Sequence, residues 1–380
     1  MDFHLSAEEI EFKQLAQEFA QKRLYPNGEK FDEHQQIPSE IIKEAADLGY
    51  FGFIIPDKFG GLGSSTTAFM GVIEELSAGS ASFGMILTSH SSLACETINR
   101  FGSDELKNKY LPSLATGETI GAYCQAEPNS GTDIGSIETA AVDKGEHFIL
   151  NGAKAYVTNG SIAQVLVVFA KAGNAGISCF VVDKNSKGIS VGEPEMKCGV
   201  KAADTRSVTF VNVSVPKSNL IGELGDGLKI VSDILDSGRT AVAFQALGIA
   251  QAALNEATKY SQIRKQFDQP IANFQAIQFK LSEMATRIEA GRLLAYRAAQ
   301  IRDENKPCHR EASMAKLFCA DTANYVCNEA VQIHGGYGYI KEYAVERYFR
   351  DARVTEINDG TAEAQRIIIA ADLLREQKIA

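Results

Sequence analysis

The spacing of hydrophobic residues changes twice along this 380-residue chain. From residue 5 to about 117, apolar residues recur three or four positions apart, which predicts amphipathic helices. Between about 119 and 222, short runs rich in β-branched and aromatic residues alternate with turn residues, which predicts strands. Beyond Gly227 the helical spacing returns. We therefore predict three domains: an N-terminal helical domain over 1–118, a central β domain over 119–224 and a C-terminal helical domain over 225–380.

This order of elements favours a mixed α and β fold and argues against a dinucleotide-binding one. The predicted strands do not alternate with helices, and no G-x-G-x-x-G follows a strand, so a nicotinamide dehydrogenase is disfavoured. The seven cysteines include no C-x-x-C pair and lie near no histidine cluster. We therefore expect buried, reduced thiols and no metal site.

Charge and hydropathy limit which partners and which cellular location are expected for the chain. The net charge is -10 and no basic block is present, so nucleic acid is not an expected partner. No apolar run reaches the roughly 18 residues that a membrane span needs, so no span is expected. The first residues show neither a secretory signal nor an arginine-rich transit peptide, which predicts a cytoplasmic location.

Two stretches combine polar, chemistry-bearing residues with glycines. Residues 123–133 (YCQAEPNSGTD) lie where helices give way to strands, and residues 332–339 (QIHGGYGY) are followed by Arg350 and Asp351. Together they resemble the paired signatures of the acyl-CoA dehydrogenase family. Further matches follow in family order over nearly the whole chain: 60–63 (GGLG), 151–160 (NGAKAYVTNG), 212–222 (NVSVPKSNLIG), 264–267 (RKQF) and 359–361 (DGT). Each match is weak alone, and their shared order carries the resemblance.

The resemblance implies both an architecture and a reaction. The fold would be an N-terminal helical domain, a central β-barrel-like domain and a C-terminal four-helix bundle. The activity would be FAD-dependent α,β-dehydrogenation of an acyl-CoA thioester, with electron-transferring flavoprotein as the electron acceptor. The family habit also implies a homotetramer, because its FAD site spans subunits.

The residues that the resemblance places at the flavin come from the central and C-terminal segments. Thr158 would donate a hydrogen bond toward flavin N5 with Tyr156 beside the ring, although Thr158 could instead only end a hairpin. Arg264 suits a pyrophosphate because its planar fork makes two charge-assisted hydrogen bonds. Ala126 replaces the hydroxyl residue of many relatives, so either the flavin loses a donor or water or a backbone N–H supplies it. The other implied cofactor residues are Tyr123, Gln125, Gly131, Thr132, Gln266, Phe267, Gln332, Gly335, Gly336 and Thr361.

The substrate residues implied by the resemblance are fewer. Asp236 and Arg239, near a predicted helix start, match the positions that hold the pantetheine and phosphate end of coenzyme A, although the bare sequence also fits a solvated helix start. Thr88 and Ser91 belong to a polar run at the implied acyl pocket, which favours a short, cyclic or functionalised acyl group. Gly360 would lie beside the thioester, and His90 in the polar run is equally compatible with a structural role and with substrate contact.

Dehydrogenation needs a carboxylate that takes the α-proton on the face of the substrate opposite the flavin. The family usually places a glutamate before the Gly-Thr pair or, in some branches, before the helix arginine. This chain has Asp359 at the first place and Gly238 at the second, so Asp359 is the predicted base. Relatives with aspartate here act on alicyclic thioesters, which favours an α-branched or cyclic acyl group such as cyclohexane-1-carboxyl-CoA.

Three alternatives stay open at this level. The shorter arm of Asp359 could fail to reach the α-carbon, which would make the chain a redirected member of the family. A flavin-dependent oxidase or monooxygenase would share the fold and differ in its reaction with oxygen. An acyl-CoA-binding scaffold without activity would keep the fold, although the retained carboxylate argues against it.

Overall fold

A computed structural model describes residues 5–376. The first segment is entirely helical, as its hydrophobic spacing predicts. Its α-helices are α1 (Ala7–Phe19), α2 (Gly28–His34), α3 (Ser39–Asp47), α4 (Thr66–Gly79), α5 (Ala81–Thr88), α6 (Glu96–Phe101) and α7 (Asp104–Ala115). Helices α5 and α6 are joined without a break by a π-helical segment, Ser89–Cys95, and such segments occur frequently at functional sites.

One eight-stranded sheet forms the middle of the chain. Its strands are β1 (Gly121–Cys124), β2 (Ala140–Asp143), β3 (His147–Thr158), β4 (Val165–Lys171), β5 (Ile177–Asp183), β6 (Ile189–Pro194), β7 (Thr205–Pro216) and β8 (Leu220–Ile221). The order is β6-β7-β3-β2-β4-β5-β8, and β1 pairs with β4 in parallel. The short strands β2 and β6 have no strong β-branched run, and the sequence pattern missed them.

The last segment returns to helices after β8. They are α8 (Gly227–Ile263), α9 (Gln275–Asp303), α10 (His309–His334), α11 (Val345–Ala352) and α12 (Ala362–Glu376), and a small hairpin of β9 (Lys265–Gln266) and β10 (Gln269–Pro270) follows α8. Helix α8 is the central element, because it packs against α4, α9 and α10. Its midsection is enclosed on every side, since residues 234–250 are all buried.

Two sequence expectations need correction. Asp236 and Arg239 lie well inside α8, which begins at Gly227, so they do not lie at a solvated helix start. Six of the seven cysteines are buried as expected, but Cys198 is exposed. Within the described chain, no helix combines the length and the apolar character that crossing a membrane would need.

Candidate active site

Asp359 lies in the tight turn that precedes α12. Its φ of +51° and the φ of +96° at Gly360 are left-handed, a conformation that is costly for a residue with a side chain. The hydroxyl of Thr361 accepts a hydrogen bond from the Ala364 N–H (3.3 Å) and caps α12. Two successive left-handed residues thus aim the Asp359 side chain into the protein and away from its own helix.

The Asp359 carboxylate contacts α8 at Gly238. A Cβ atom added to Gly238 would lie 2.4 Å from Asp359 Oδ2 and 2.9 Å from a methyl of Leu93, which belongs to the π-helical segment. Glycine allows this close approach, and a side chain at position 238 would have to displace the Asp359 carboxylate or Leu93. Asp359 Oδ2 is itself buried and has no hydrogen-bond partner among the described residues. An unpaired buried carboxylate oxygen is costly unless a ligand or a proton comes to it.

Two buried cations face this carboxylate. Burial raises the pKa of Asp359, while the charges of Lys316 on α10 and Arg239 on α8 oppose that rise. The Lys316 ammonium donates a hydrogen bond to the Gly360 carbonyl (2.7 Å) and is completely inaccessible to solvent. Burial lowers the pKa of Lys316 to about 8. Burial and the two cations therefore act on the pKa of the Asp359 carboxyl in opposite directions, and perturbed carboxyl groups of this kind are candidates for proton transfer.

Asp236 and Arg239 form a buried pair beside this carboxylate. Arg239 Nη1 lies 2.9 Å from Asp236 Oδ1, and His309 Nδ1 lies 2.6 Å from Asp236 Oδ2. The hydrogen bond to Asp236 raises the pKa of His309, whose ring is 41% exposed at the start of α10. A series of interacting ionisable groups thus extends from His309 at the surface through Asp236 and Arg239 to Asp359.

The polar run around the π-helical segment divides into structural and unpaired groups. Gly121 N–H donates to His90 Nδ1 (2.9 Å) and His90 Nε2 contacts the Phe51 carbonyl (3.2 Å), so both ring nitrogens are occupied by backbone. Burial also lowers the pKa of His90 to about 4, which identifies it as a neutral structural histidine. Ser91 donates to the Phe51 carbonyl (3.4 Å), whereas the buried Thr88 hydroxyl has no partner among the described residues.

Strand β1 and the loop after it carry five of the predicted cofactor residues, and a buried ion pair fixes the loop. Tyr123 packs edge-on against Phe169, and its buried hydroxyl has no partner among the described residues. Lys154 donates to the Gln125 carbonyl (3.1 Å) and to Glu127 (2.7 Å). The remaining members of this group are Ala126, whose carbonyl accepts the Ala155 N–H, and Gly131 and Thr132 on the exposed tip.

Tyr156 and Thr158 lie at the end of β3, where the strand bulges. Tyr156 has a left-handed φ of +55° and is 69% exposed, so its ring is presented on the surface of the sheet domain. Thr158 pairs with Thr205 in the sheet, and its carbonyl accepts a hydrogen bond from Ser89 of the π-helical segment (3.5 Å). Thr158 is therefore held at the junction of the β domain with the helix that carries Thr88.

A second cluster of predicted residues lies at the far end of α8. Arg264, Gln266, Gly335 and Gly336 line one open groove of about 430 Å³. The guanidinium of Arg264 lies 5.7 Å from the ring centre of Tyr337. A Cβ added to either glycine would meet no atom within 4 Å, so the backbone there is open to a ligand. Phe267 and Gln332 are exposed beside the groove.

The two clusters are far apart within one chain. Arg264 directly follows α8 and lies 25 positions after Arg239, which corresponds to about 37 Å along the helix axis. One dinucleotide cannot touch both ends. Each end nevertheless fits part of FAD: unpaired buried hydroxyls and carboxylate surround the inner end, and an arginine with accessible glycine backbone suits a diphosphate at the outer end.

Three residues near the carboxylate were not found in the sequence. Lys316, His309 and Gln365 all belong to helices, and each contacts Asp359, Gly360 or Asp236. The sequence contained a signal for Lys316, because this residue lies on α10 at helical spacing from the buried residues Ala312 and Cys319. A lysine on the apolar face of a helix could have been identified, but its partner could not.

Sequence models of a single family match almost the whole chain. The N-terminal domain of acyl-CoA dehydrogenase matches residues 6–118, the middle domain residues 122–213 and the C-terminal domain residues 225–374. This chain belongs to the acyl-CoA dehydrogenase family. It is an oxidoreductase that acts on CH–CH bonds of acyl-CoA thioesters with FAD as cofactor, which confirms the prediction of family, fold, cofactor and reaction class.

Individual relatives agree over their full length. An acyl-CoA dehydrogenase of Bacillus subtilis is 43% identical over 98% of this chain and 99% of its own. The caffeyl-CoA reductase-Etf complex subunit CarC of Acetobacterium woodii is 41% identical over 96% of this chain and 97% of its own. The structure of butyryl-CoA dehydrogenase from Megasphaera elsdenii superposes with a TM-score of 0.97 at 40% identity, covering 99% of this chain and all of that one.

Proposed function

We propose that this enzyme dehydrogenates a short, α-branched or alicyclic acyl-CoA, such as cyclohexane-1-carboxyl-CoA, with Asp359 as the base. FAD, when bound, supplies the acceptor for the β-hydride. Asp359 takes the α-proton, and its own backbone N–H is suited to hold the thioester carbonyl as negative charge develops there. The observation that carries the proposal is the buried, unpartnered Asp359 Oδ2 against Gly238.

The contact with Gly238 supports a single base at position 359. In the family's other arrangement a carboxylate would extend from position 238, but any side chain there would collide with Asp359 Oδ2 and Leu93. The two positions therefore compete for the same space. The carboxyl group that remains has a raised pKa, so it can accept a proton from a weakly acidic carbon and release it later.

The assignment of the flavin residues follows from the two clusters. At the inner end we assign Tyr123, Thr158 and the backbone after β1 to the ring, since Tyr123 presents an unpaired hydroxyl beside Asp359. At the outer end we assign Arg264, Gln266 and the glycines at 335 and 336 to the diphosphate half. Because these ends lie about 37 Å apart, the outer residues serve the FAD of a neighbouring subunit.

Exposed aromatic residues at the outer end support this assembly. Phe267 is 87% exposed, with a left-handed φ of +50°, and Tyr339 is also 87% exposed. Large apolar side chains presented this openly are typical of surfaces covered by a partner. We propose a homotetramer. Its test is the mass of the purified holoenzyme in solution, which the substitution Phe267→Ser should lower together with flavin content.

The proposed size of the acyl group is argued from the residues on the acyl side of the site. The short arm of Asp359 requires the α-carbon to come close, and the buried Thr88 hydroxyl makes the pocket less suited to a long alkyl tail. The relative from Megasphaera elsdenii is named for butyryl-CoA, which supports a short acyl group. For the coenzyme end we assign Asp236 and Arg239, which would have to exchange their mutual ion pair for contacts with the thioester.

The deciding experiment is anaerobic bleaching of the bound flavin by a panel of thioesters. The panel contains butyryl-, isobutyryl-, cyclohexane-1-carboxyl- and octanoyl-CoA. We expect the branched and cyclic compounds to reduce the flavin fastest and octanoyl-CoA slowest. Fastest reduction by octanoyl-CoA would reject the substrate assignment, and no reduction by any member would reject the activity in this direction.

Electron-transferring flavoprotein is the acceptor that we propose, because the CarC relative is named as part of a complex with Etf. Rapid reoxidation of the substrate-reduced flavin by electron-transferring flavoprotein, and slow reoxidation by oxygen, would support it. Fast reaction with oxygen would instead indicate an oxidase. The same relative is named a reductase, so the reverse reaction, with protonated Asp359 as the acid at the α-carbon, is the second candidate.

A further inference from the structure

Lys316 is buried more completely than the usual lysine, and it has no direct ion pair with a carboxylate among residues 5–376. Its side chain is inaccessible to solvent on α10, and its ammonium makes one hydrogen bond, to the Gly360 carbonyl at 2.7 Å. Burying an ammonium without a paired charge is costly. A structural lysine would be expected to have a carboxylate partner, so the location of this one requires another explanation.

The hydrogen bond of Lys316 holds the turn that carries the base. Gln365 on α12, which is also completely buried, donates to the same Gly360 carbonyl (2.8 Å) and to the Asp359 carbonyl (3.2 Å). Two buried side-chain donors thus form hydrogen bonds to the carbonyls of Asp359 and Gly360, the two residues whose φ angles are left-handed. These hydrogen bonds offset the backbone strain of the turn and fix the direction of the Asp359 side chain.

Lys316 differs from Gln365 in its charge, and the other charges near Asp359 do not replace it. Arg239 on α8 also acts on Asp359, but its guanidinium is paired with Asp236 at 2.9 Å. The Tyr123 hydroxyl on β1 is neutral, because burial raises the pKa of Tyr123 well above its usual value. Glu363 on α12 acts on Lys316 from the surface. Of the two cations that face the Asp359 carboxylate, Arg239 is paired with Asp236, whereas Lys316 has no ion-pair partner in the part of the chain that the structure describes.

We infer that Lys316 is a positioning residue of the reaction: it holds the turn at residues 359–360 and keeps the Asp359 carboxylate ionised when substrate excludes water. The inference rests on the proposed role of Asp359 as the base. An acyl-CoA in the site would desolvate the carboxylate further, and the nearby Lys316 ammonium, which is charged below its pKa of about 8, offsets that loss of hydration. Without the charge, the carboxyl group would hold its proton and be unable to accept another.

The test measures proton abstraction alone. Phenylacetyl-CoA has α-hydrogens and no β-hydrogen, so the oxidised holoenzyme can exchange its α-hydrogen for solvent deuterium and cannot dehydrogenate it. Asp359 takes the α-proton, exchanges it with D₂O and returns deuterium to the same carbon. Exchange is followed by NMR from pH 5 to pH 10 for the unchanged enzyme and for Lys316→Met, Lys316→Arg and Gln365→Leu, with Asp359→Asn as the blank.

The charge separates the variants. Loss of the cation raises the pKa of Asp359, so in Lys316→Met the acid limb of the profile should move up by about one pH unit or more. Exchange at neutral pH should then fall about tenfold or more and recover at alkaline pH. Lys316→Arg keeps the charge and should keep the midpoint. Gln365→Leu removes the hydrogen bonds of Gln365 to the turn but no charge. It should lower the exchange rate without moving the midpoint of the pH profile.

The outcomes distinguish this inference from the proposed function. Exchange that keeps its midpoint in Lys316→Met would overturn the inference, and so would an equal displacement of the midpoint in Gln365→Leu. If Lys316→Met does not retain flavin, Lys316→Arg decides, because a midpoint that moves upward as far as expected for Lys316→Met would contradict the role of the charge. Exchange by the unchanged enzyme without flavin bleaching by any thioester would reject dehydrogenation and leave the role of Lys316 intact. No exchange by the unchanged enzyme together with no bleaching by any thioester would overturn both, and no exchange despite bleaching would overturn the inference alone.

Discussion

Two buried lysines lie near carboxylates in this protein, and their surroundings differ. In the β domain, Lys154 contacts Glu127 at 2.7 Å, and the same carboxylate accepts the N–H groups of Glu138 and Thr139. In the C-terminal domain, Lys316 faces Asp359 without a direct bond, and Asp359 Oδ2 has no partner among the described residues. The first pair is fully satisfied and holds a loop, whereas the second stays unsatisfied and faces the proposed substrate.

The difference teaches how to tell a structural charge from a reactive one. Burial would raise the pKa of Glu127, but hydrogen bonds from Lys154, Thr139 and Glu138 outweigh it and lower the pKa. Among the described residues no hydrogen bond to the Asp359 carboxylate opposes burial, and the pKa of Asp359 is raised. A carboxylate held in its charged form supports the fold, whereas one with a raised pKa and an unpaired oxygen is suited to accept a proton.

The largest expected effect separates the two carboxylates by activity. Asp359→Asn should slow flavin reduction by a saturating acyl-CoA about a thousandfold or more, because the amide cannot accept the α-proton. Glu127→Gln is the matched change, and in flavin-saturated enzyme it should slow the reduction far less, because Glu127 holds the loop after β1 and takes no proton from the substrate. Both rates are measured by anaerobic stopped flow. Comparable losses in the two variants would mean that the comparison does not identify the base.

How much of this contrast the sequence predicts depends on distance along the chain. Asp359 is found because it belongs to a short motif next to Gly360 and Thr361, and Arg264 is found in the same way. The α, β, α order follows from hydrophobic spacing, which is also local. The contact of Gly238 with Asp359 joins positions 121 residues apart, and that of Lys316 with Gly360 joins positions 44 apart. The residues between the contacting positions give no sequence signal for either contact. The inner end of the site could therefore be described only from the structure.

The next effect is on stability. Lys154→Met should lower the free energy of unfolding by about 3 to 5 kcal/mol, because it leaves Glu127 buried without its counter-charge. Urea unfolding of the holoenzyme measures the change. The double variant Lys154→Met with Glu127→Gln should recover most of it, since the neutral amide oxygen can still accept from the Glu138 and Thr139 N–H groups. A double variant as unstable as the single one would show that packing of the lysine stem is responsible.

The pH dependence of stability should have opposite signs for the two carboxylates. The folded pKa of Asp359 is raised, so its contribution to stability falls as pH rises from the unfolded value, about 3.9, through the folded pKa. Asp359→Asn should therefore become more stable than the unchanged enzyme above that window. The folded pKa of Glu127 is lowered, so its contribution is present above about 4.3 and lost at lower pH. A tenfold difference in proton affinity between the folded and unfolded states corresponds to about 1.4 kcal/mol.

Unfolding curves from pH 3.5 to pH 8 test this prediction. The difference between Asp359→Asn and the unchanged enzyme should grow with pH, and the penalty of Glu127→Gln should be largest at neutral pH and shrink in acid. If Asp359→Asn destabilises the enzyme at pH 7, the carboxylate contributes to the fold in the same way as Glu127. The two lysine–carboxylate pairs would then differ in geometry, and both would have a structural role.

The smallest expected effect concerns substrate choice. The Asp359 carboxylate already touches Gly238, so the extra methylene of Asp359→Glu cannot be accommodated toward α8 and must carry the carboxylate toward the substrate. We expect kcat/KM for butyryl-CoA to rise relative to that for cyclohexane-1-carboxyl-CoA by about tenfold, the lower end of the discrimination that one methylene in a pocket gives. Gly238→Ala is the control, because it displaces the carboxylate without lengthening its arm. A ratio unchanged in Asp359→Glu would mean that the length of the base does not select the acyl group, and that the unpaired hydroxyl of Thr88 is the feature to alter next.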